Sequence, residues 1–130
     1  GLLVCFDIDT KEITYAAANN KPVIVSNSIL TELASNRMPV GIGERTDDFD
    51  LYTINAKKGD TLYLYTDGYA DQFGGPKGKK FKYKPLNEII LNNHTSPLSE
   101  QKQVLQQSFE AWRGNLEQVD DVCVIGIKIA

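Results

Sequence analysis

The chain has 130 residues, 42% of them hydrophobic and 24% charged, with a formal net charge of −3. That is enough sequence for one domain with a real core, in the composition range of ordinary globular chains. The negative balance gives a nucleic-acid role no global electrostatic support. No apolar run reaches the roughly 18 residues of a membrane span, and the apolar opening lacks a basic leader and runs straight into Asp7, unlike a signal peptide.

In chain order, residues 2–8 read as a buried strand and residues 13–18 as the return strand of a hairpin, turning at Asp9-Thr10-Lys11-Glu12. The run Asp7-Ile8-Asp9-Thr10 resembles the DxD nucleophile motif of haloacid-dehalogenase-like phosphatases. The Gly of that motif is absent, and a strand returns where a loop and helical cap should follow, which sets the reading aside. Asn19-Asn20-Lys21-Pro22 is a second turn, because Asn tolerates the left-handed conformation. Residues 23–25 and 29–33 form another hairpin around Asn27-Ser28. Residues 36–44, with Pro39, Gly41 and Gly43, are loop; Asp47-Asp48 belongs to an exposed acidic loop. Residues 49–54 alternate polar and apolar, as a half-buried strand does.

The central stretch is residues 59–75. A Gly-Asp turn leads into the strand Thr61-Leu62-Tyr63-Leu64-Tyr65-Thr66, rich in β-branched and aromatic residues, which ends on Asp67-Gly68. A carboxylate at a strand end is held by rigid backbone on one side and open on the other. Gly68 removes the Cβ that would crowd an approaching group. Such a carboxylate suits a hard cation; the same dipeptide also suits a plain turn. After Asp67 the chain is expected to stay irregular. Gly74-Gly75-Pro76-Lys77-Gly78-Lys79-Lys80 lacks the spacing, the Ser or Thr and the following helix of a phosphate loop. Lys77, Lys79, Lys80, Lys82 and Lys84 instead form a mobile basic flap, either simply solvated or attracting a phosphorylated partner.

Residues 85–91 read as a short helix with Pro in its first turn. Ser96 caps a longer one from Pro97 to about Arg113, stopped by Gly114. Leu98, Leu105, Phe109 and Trp112 line one side of it. Residues 122–129 are apolar on both faces and read as a central strand. Asp120 and Asp121 enter that strand side by side, a costly pairing unless a cation or donor lies between them. Cys5 and Cys123, set among apolar residues, read as buried free thiols of a reducing, cytoplasmic compartment. His94, the single histidine, reads as a solvated loop residue; with two distant cysteines it makes no structural zinc site.

Several of these blocks together resemble the C-terminal half of PPM-type (protein phosphatase 2C-like) metal-dependent serine/threonine phosphatases, and among them the SpoIIE-like branch. The matching residues are Lys58-Gly59-Asp60, Tyr65-Thr66-Asp67-Gly68-Tyr69-Ala70-Asp71 and Asp120-Asp121-Val122-Cys123. Tyr15-Ala16-Ala17-Ala18-Asn19-Asn20-Lys21-Pro22 stands where that branch has a Tyr-Ala-Asn-Ala-Gly-His-Asn-Pro run, and departs from its Gly-His-Asn. Met38-Pro39-Val40-Gly41-Ile42 stands at its Pro-Leu-Gly turn. The blocks occur in order and cover nearly the whole chain.

Strands segregated from helices indicate an α+β fold. The resemblance implies more: part of an α-β-β-α sandwich with mainly antiparallel sheets, in which two Mn²⁺ or Mg²⁺ ions activate a water against a phosphoserine or phosphothreonine. It implies Asp67 and Asp120 as ligands of one ion. Asp121 and Gly68 would lie beside the ligands, and Asp71 at a position of unassigned role. Apart from the resemblance, Lys77, Lys79 and Lys80 of the basic flap are the candidate docking patch for a phosphorylated protein, against a simply solvated loop. The resemblance also implies a phosphorylated protein substrate such as an anti-sigma-factor antagonist, a sensor or regulatory domain upstream on the same chain, with or without a membrane anchor there, and room for a homodimer. The family's other metal blocks, a Gly-Gly-Asp strand and an Asp-x-x-Gly-His-Gly turn, precede everything in this sequence. The expectation is therefore a single domain portion, residues 1–130, carrying half a metal centre and inactive alone. A non-catalytic regulatory or interaction module of the same fold is the alternative.

Overall fold

The computed structural model describes residues 1–45 and 47–130. Its elements are β1 (Leu2–Phe6), β2 (Glu12–Ala17), β3 (Val23–Ser26), β4 (Ile29–Glu32), β5 (Tyr52–Asn55), β6 (Thr61–Tyr65), α1 (Gly68–Asp71), β7 (Phe73–Gly74), β8 (Lys79–Lys80), α2 (Tyr83–Asn93), α3 (Leu98–Arg113) and β9 (Val124–Lys128). They fall into two compact units. One holds Gly1–Asn27, Thr31–Leu64 and Gly126–Ala130; the other holds Ser28–Leu30 and Tyr65–Ile125.

The first unit is built by turns the sequence specifies. Asp7 Oδ1 accepts the N–H groups of Asp9 and Thr10, each at 2.9 Å. These bonds, that from Thr10 foremost, hold its carboxyl below the usual range. Asp7 Oδ1 therefore serves its own turn. The chain reverses, and β1 pairs antiparallel with β2, Leu2 facing Ala17 and Phe6 facing Ile13. The other side of β2 takes β5, with Ile13 facing Ile54. Asn19 sits at φ 52°, the left-handed turn its side chain tolerates. Asn27 and Ser28, at φ 50° and 61°, make the two-residue turn between β3 and β4.

A second sheet has the strand order β4-β3-β6-β9. β3 runs antiparallel to β6, with Val23 facing Tyr63. Hydrogen bonds from Ile129 N to Asp60 O (2.8 Å) and from Thr66 N to Cys123 O (3.0 Å) set β6 and β9 antiparallel as well. Side chains of both sheets meet in one apolar cluster: Ile13, Ala56, Leu62 and Ile129, flanked by Val4, Phe6, Ile24, Leu33, Ile54, Leu64 and Ile127. Each large aliphatic side chain so buried contributes about 1.5–3 kcal/mol.

The second unit packs around aromatic rings. Tyr69, 2% exposed, meets Phe81 and Phe109 with centroids 5.2 and 5.1 Å away, and Phe81 meets Trp112 at 5.4 Å. The α3 stripe supplies Leu105 and Phe109, and α2 supplies the buried Leu86 and Ile90. Gly114, at φ 55°, ends α3 as expected.

Four expectations change. The last strand is not central: β9 is an edge strand in the second sheet, and Ile125 is 48% exposed. Its apolar residues occur on both faces, but only one is covered among the described residues. Cys5 and Cys123 are exposed for the same reason; Cys5 shares the outward face of β1 with Leu3, opposite the partly buried Val4 and Phe6. Residues after Asp67 are not irregular: they form α1 and the β7–β8 hairpin, with Phe73 facing Lys80. Finally, α3 starts from Pro97 with no side-chain cap, and the Ser96 carbonyl instead accepts Gln101 Nε2 at 2.8 Å. Smaller shifts accompany these. β5 begins at Tyr52, where pairing to β2 begins, and α2 extends beyond 85–91 at both ends. His94 closes α2 half-buried, its Nδ1 2.5 Å from Leu91 O and its Nε2 3.3 Å from Ser28 Oγ.

Tyr69 donates its hydroxyl to Leu105 O at 2.7 Å, and burial pushes its phenol up to about 12. A phenol raised in the fold stabilises it fully below the ordinary value of 10.0 and loses that contribution as pH climbs toward about 12. The wild-type melting temperature should therefore fall more steeply between pH 10 and 12 than that of Tyr69→Phe. Parallel curves would contradict the assignment.

Candidate functional site

The site begins where β6 ends. Tyr65 is buried and donates its hydroxyl to Asn87 Oδ1 at 2.9 Å, which fixes the last residue of the strand. The next residue, Thr66, joins two segments 55 residues apart. Its Oγ1 donates to Asp121 O (2.8 Å) and accepts from Cys123 N (3.0 Å), while its own N–H donates to Cys123 O (3.0 Å). One hydroxyl thus serves as both donor and acceptor, the dual capacity of Thr.

Asp67 follows at the N-terminal boundary of α1, exposed, without a side-chain bond to the helix. Gly68 is buried against the other segment. A Cβ placed there would lie 2.2 Å from Asp121 O and 2.8 Å from Asp121 C. Backbone contact this close is open only to glycine, and what approaches Gly68 is the chain itself. Asp120 and Asp121 are both exposed, and Asp120 Oδ1 accepts the N–H of Asp121 at 2.7 Å.

The structure therefore brings together the segments bearing Asp67 and Asp120-Asp121. Asp71 is drawn elsewhere, to Lys80 Nζ at 3.2 Å, a pair with both side chains a third or more exposed. Lys80 also lies over the Phe73 ring, 5.8 Å from its centroid. Lys77 and Lys79 are exposed on the hairpin. Asp67 and Asp120 are hard oxygen donors suited to Mg²⁺ or Mn²⁺. Among the described residues, no group of three or more His, Cys, Asp or Glu side chains gathers to hold a metal ion. The donor chemistry fits a divalent cation, in a shell that needs oxygen ligands from elsewhere.

Sequence reasoning missed three participants. Thr66 is the bridge just described; its signal was a hydroxyl-bearing β-branched residue immediately before Asp-Gly. Tyr83 lies tilted against Tyr65, with centroids 5.9 Å apart. Burial first, then the charges of Asp67 and Asp71, push its phenol up. Gln72, wholly buried one residue past α1, had no sequence signal apart from its neighbours.

Two antiparallel sheets with helices match the fold of solved phosphatase domains of the PP2C class. The chain belongs to the SpoIIE family: the family model of Stage II sporulation protein E (SpoIIE) matches residues 1–130. The SiaA-PP2C domain of Pseudomonas aeruginosa superposes with a TM-score of 0.89 at 24% identity, over 99% of this chain and 51% of that one. The Mn-presoaked phosphatase domain of the cell fate determinant SpoIIE from Bacillus subtilis gives 0.73 at 16% identity, over 99% and 56%. The RsbU and RsbW domains of a Mycobacterium tuberculosis protein give 0.72 at 18% identity, over 98% and 35%. The chain thus spans about half the length of the first two solved domains. Among curated protein sequences, none matches the chain significantly. No helix among the described residues is long and apolar enough to cross a membrane.

Gly68→Ala tests the close approach. The methyl must displace the Asp121 carbonyl and weaken its bond to Thr66, costing about 1–3 kcal/mol as overpacking does. Thr66→Val should cost about 0.5–1.5 kcal/mol through the lost hydroxyl bonds. Urea denaturation measures both; a neutral Gly68→Ala would contradict the packing described.

Proposed function

We propose that this chain supplies the Asp67 and Asp120 half of a two-cation centre in a protein serine/threonine phosphatase. The carrying observation is the seam in which Thr66 and Gly68 bind the backbone of Asp121 and Cys123. It fixes the backbones of two acidic segments against each other, as a shared ion requires. Asp67 and Asp120 would hold the ion, with Asp121 beside it as a hydrogen-bonding neighbour. When bound, the cations lower the pKa of a water and neutralise charge on the phosphoryl group. The chain's own part would be to present Asp67 at the end of β6 and Asp120 on the loop that the bond from Thr66 to Asp121 O ties to it.

The substrate class is a phosphoserine or phosphothreonine protein, an anti-sigma-factor antagonist in the bacterial signalling version of this reading. Lys77 and Lys79, with Lys80 held by Asp71, place positive charge on the hairpin that follows the acidic turn. Such charge would draw in a phosphorylated segment. A regulatory domain on the same polypeptide and a homodimer belong to the same reading. Residues 1–130 would form part of one phosphatase domain.

Two carboxylates leave most coordination positions to water, so cation binding by residues 1–130 should be weak, on the order of millimolar. No turnover of a phosphoserine peptide with Mn²⁺ is expected from them. A longer polypeptide supplying further oxygen ligands should be active. Asp67→Asn or Asp120→Asn there should lower kcat by about 10²–10³-fold, the equivalent of several kcal/mol of charge stabilisation. Full activity in both variants would overturn the proposal. The second reading is a non-catalytic module of the same fold; a longer polypeptide that neither binds Mn²⁺ nor hydrolyses phosphoserine would favour it.

A further inference from the structure

We infer that Gln72 and Trp112 form a clamp that positions the Asp120 loop against the turn bearing Asp67; its consequence for metal binding rests on the reading proposed above. The segment from Gly114 to Asp121 is exposed throughout and contains no strand or helix. Its course is fixed by few bonds. Near its start, Leu116 N donates to Arg113 O at 3.0 Å. At its end, Asp121 O is held by Thr66. Between them, the side-chain amide of Gln72 donates to Glu117 O at 2.8 Å. Within the loop, Gln118 Nε2 donates to Asp120 O at 2.9 Å and Asp121 N to Asp120 Oδ1 at 2.7 Å. The bonds that tie this stretch to the turn bearing Asp67 are those at Glu117 and Asp121, and both lead back to the short stretch from Thr66 to Gln72.

Gln72 is 0% exposed, and its environment fixes the orientation of the amide. Nε2 donates to Glu117 O and to Phe73 O (3.0 Å), so exchanging the amide N and O would set oxygen against two carbonyls. Its Oε1 has no partner among the described residues. A buried acceptor without a partner is destabilising, so an apolar side chain of equal size would suit a position that only filled space. The donor side of the amide supplies a reason to keep it.

Trp112 secures Gln72 from behind. Its Nε1 donates to Gln72 O at 2.9 Å, and Phe81 N donates to the same oxygen at 3.0 Å. The chain after Gln72 is pressed onto Trp112: a Cβ on Gly74 would lie 1.9 Å from Trp112 O, and Gly75 N donates to that oxygen at 2.9 Å. The last turn of α3, the hairpin strand and the start of the Asp120 loop are thereby tied at one residue. Gln72 and Trp112 are positioning residues, acting on Asp120 through Glu117.

The test is amide-resolved NMR on the labelled chain, in Gln72→Leu and, as a milder variant, Trp112→Phe. Heteronuclear relaxation should show residues 118–121 losing order in Gln72→Leu, while the Thr66 and Cys123 amides keep theirs. Trp112→Phe should loosen the same residues less. Titration with Mg²⁺, followed at Gly68 and Asp121, should show an apparent dissociation constant raised about tenfold, the size expected when a residue that orients a ligand is lost. Unchanged order at residues 118–121 in a folded Gln72→Leu would overturn the clamp, as would equal loosening throughout the chain. If wild type shows no Mg²⁺ response but Gln72→Leu still loosens the loop selectively, the clamp stands and the metal reading falls.

Discussion

The Thr66 hydroxyl donates to one backbone group and accepts from another, and both belong to the Asp121–Cys123 segment. Without that bridge, the end of β6 and the entry to β9 would be joined only by strand pairing, which frays at strand ends. With it, the two residues that follow, Asp67 and Gly68, leave the sheet in a set direction. Gly68 then allows the backbones to close to a distance no side chain would permit. The acidic turn, the first turn of α1 and the Asp120 loop all take their positions from this seam.

The cation site proposed above would depend on the same seam. Two exposed carboxylates repel when brought close. The bond from Thr66 to Asp121 O would meet part of the cost of bringing their two segments together before a cation arrives. The supporting groups are neutral: a threonine hydroxyl, a glutamine amide and backbone carbonyls. They set geometry without competing for a cation. Tyr83 lies against Tyr65, and burial first, then the negative charge of Asp67 and Asp71, pushes its phenol up.

Much of this was legible in the sequence because local chemistry dictated it. The turns at Asn19 and Asn27-Ser28 follow from residues that accept positive φ, and the strand from Thr61 to Tyr65 from its β-branched and aromatic run. The Asp67-Gly68 and Asp120-Asp121 blocks stood out as costly or permissive pairs. Long-range facts were not legible. Whether an apolar strand is central or at an edge depends on its neighbours, so residues 122–129 misled, and Cys5 and Cys123 with them. The β7–β8 hairpin was hidden because its stability lies in Trp112, far along the chain, meeting Gly74 and Gly75. Gln72 carries no pattern at all; its role exists only once Glu117 lies beside it.

The central claim is that Asp67 and Asp120 serve one cation. Paramagnetic broadening by substoichiometric Mn²⁺ in an amide-resolved spectrum of the labelled chain tests it directly. The account predicts that the amides around Asp67-Gly68 and Asp120-Asp121 broaden together, and that Asp67→Asn weakens the effect at both. Broadening confined to one segment, or centred instead on Asp47-Asp48, would contradict it.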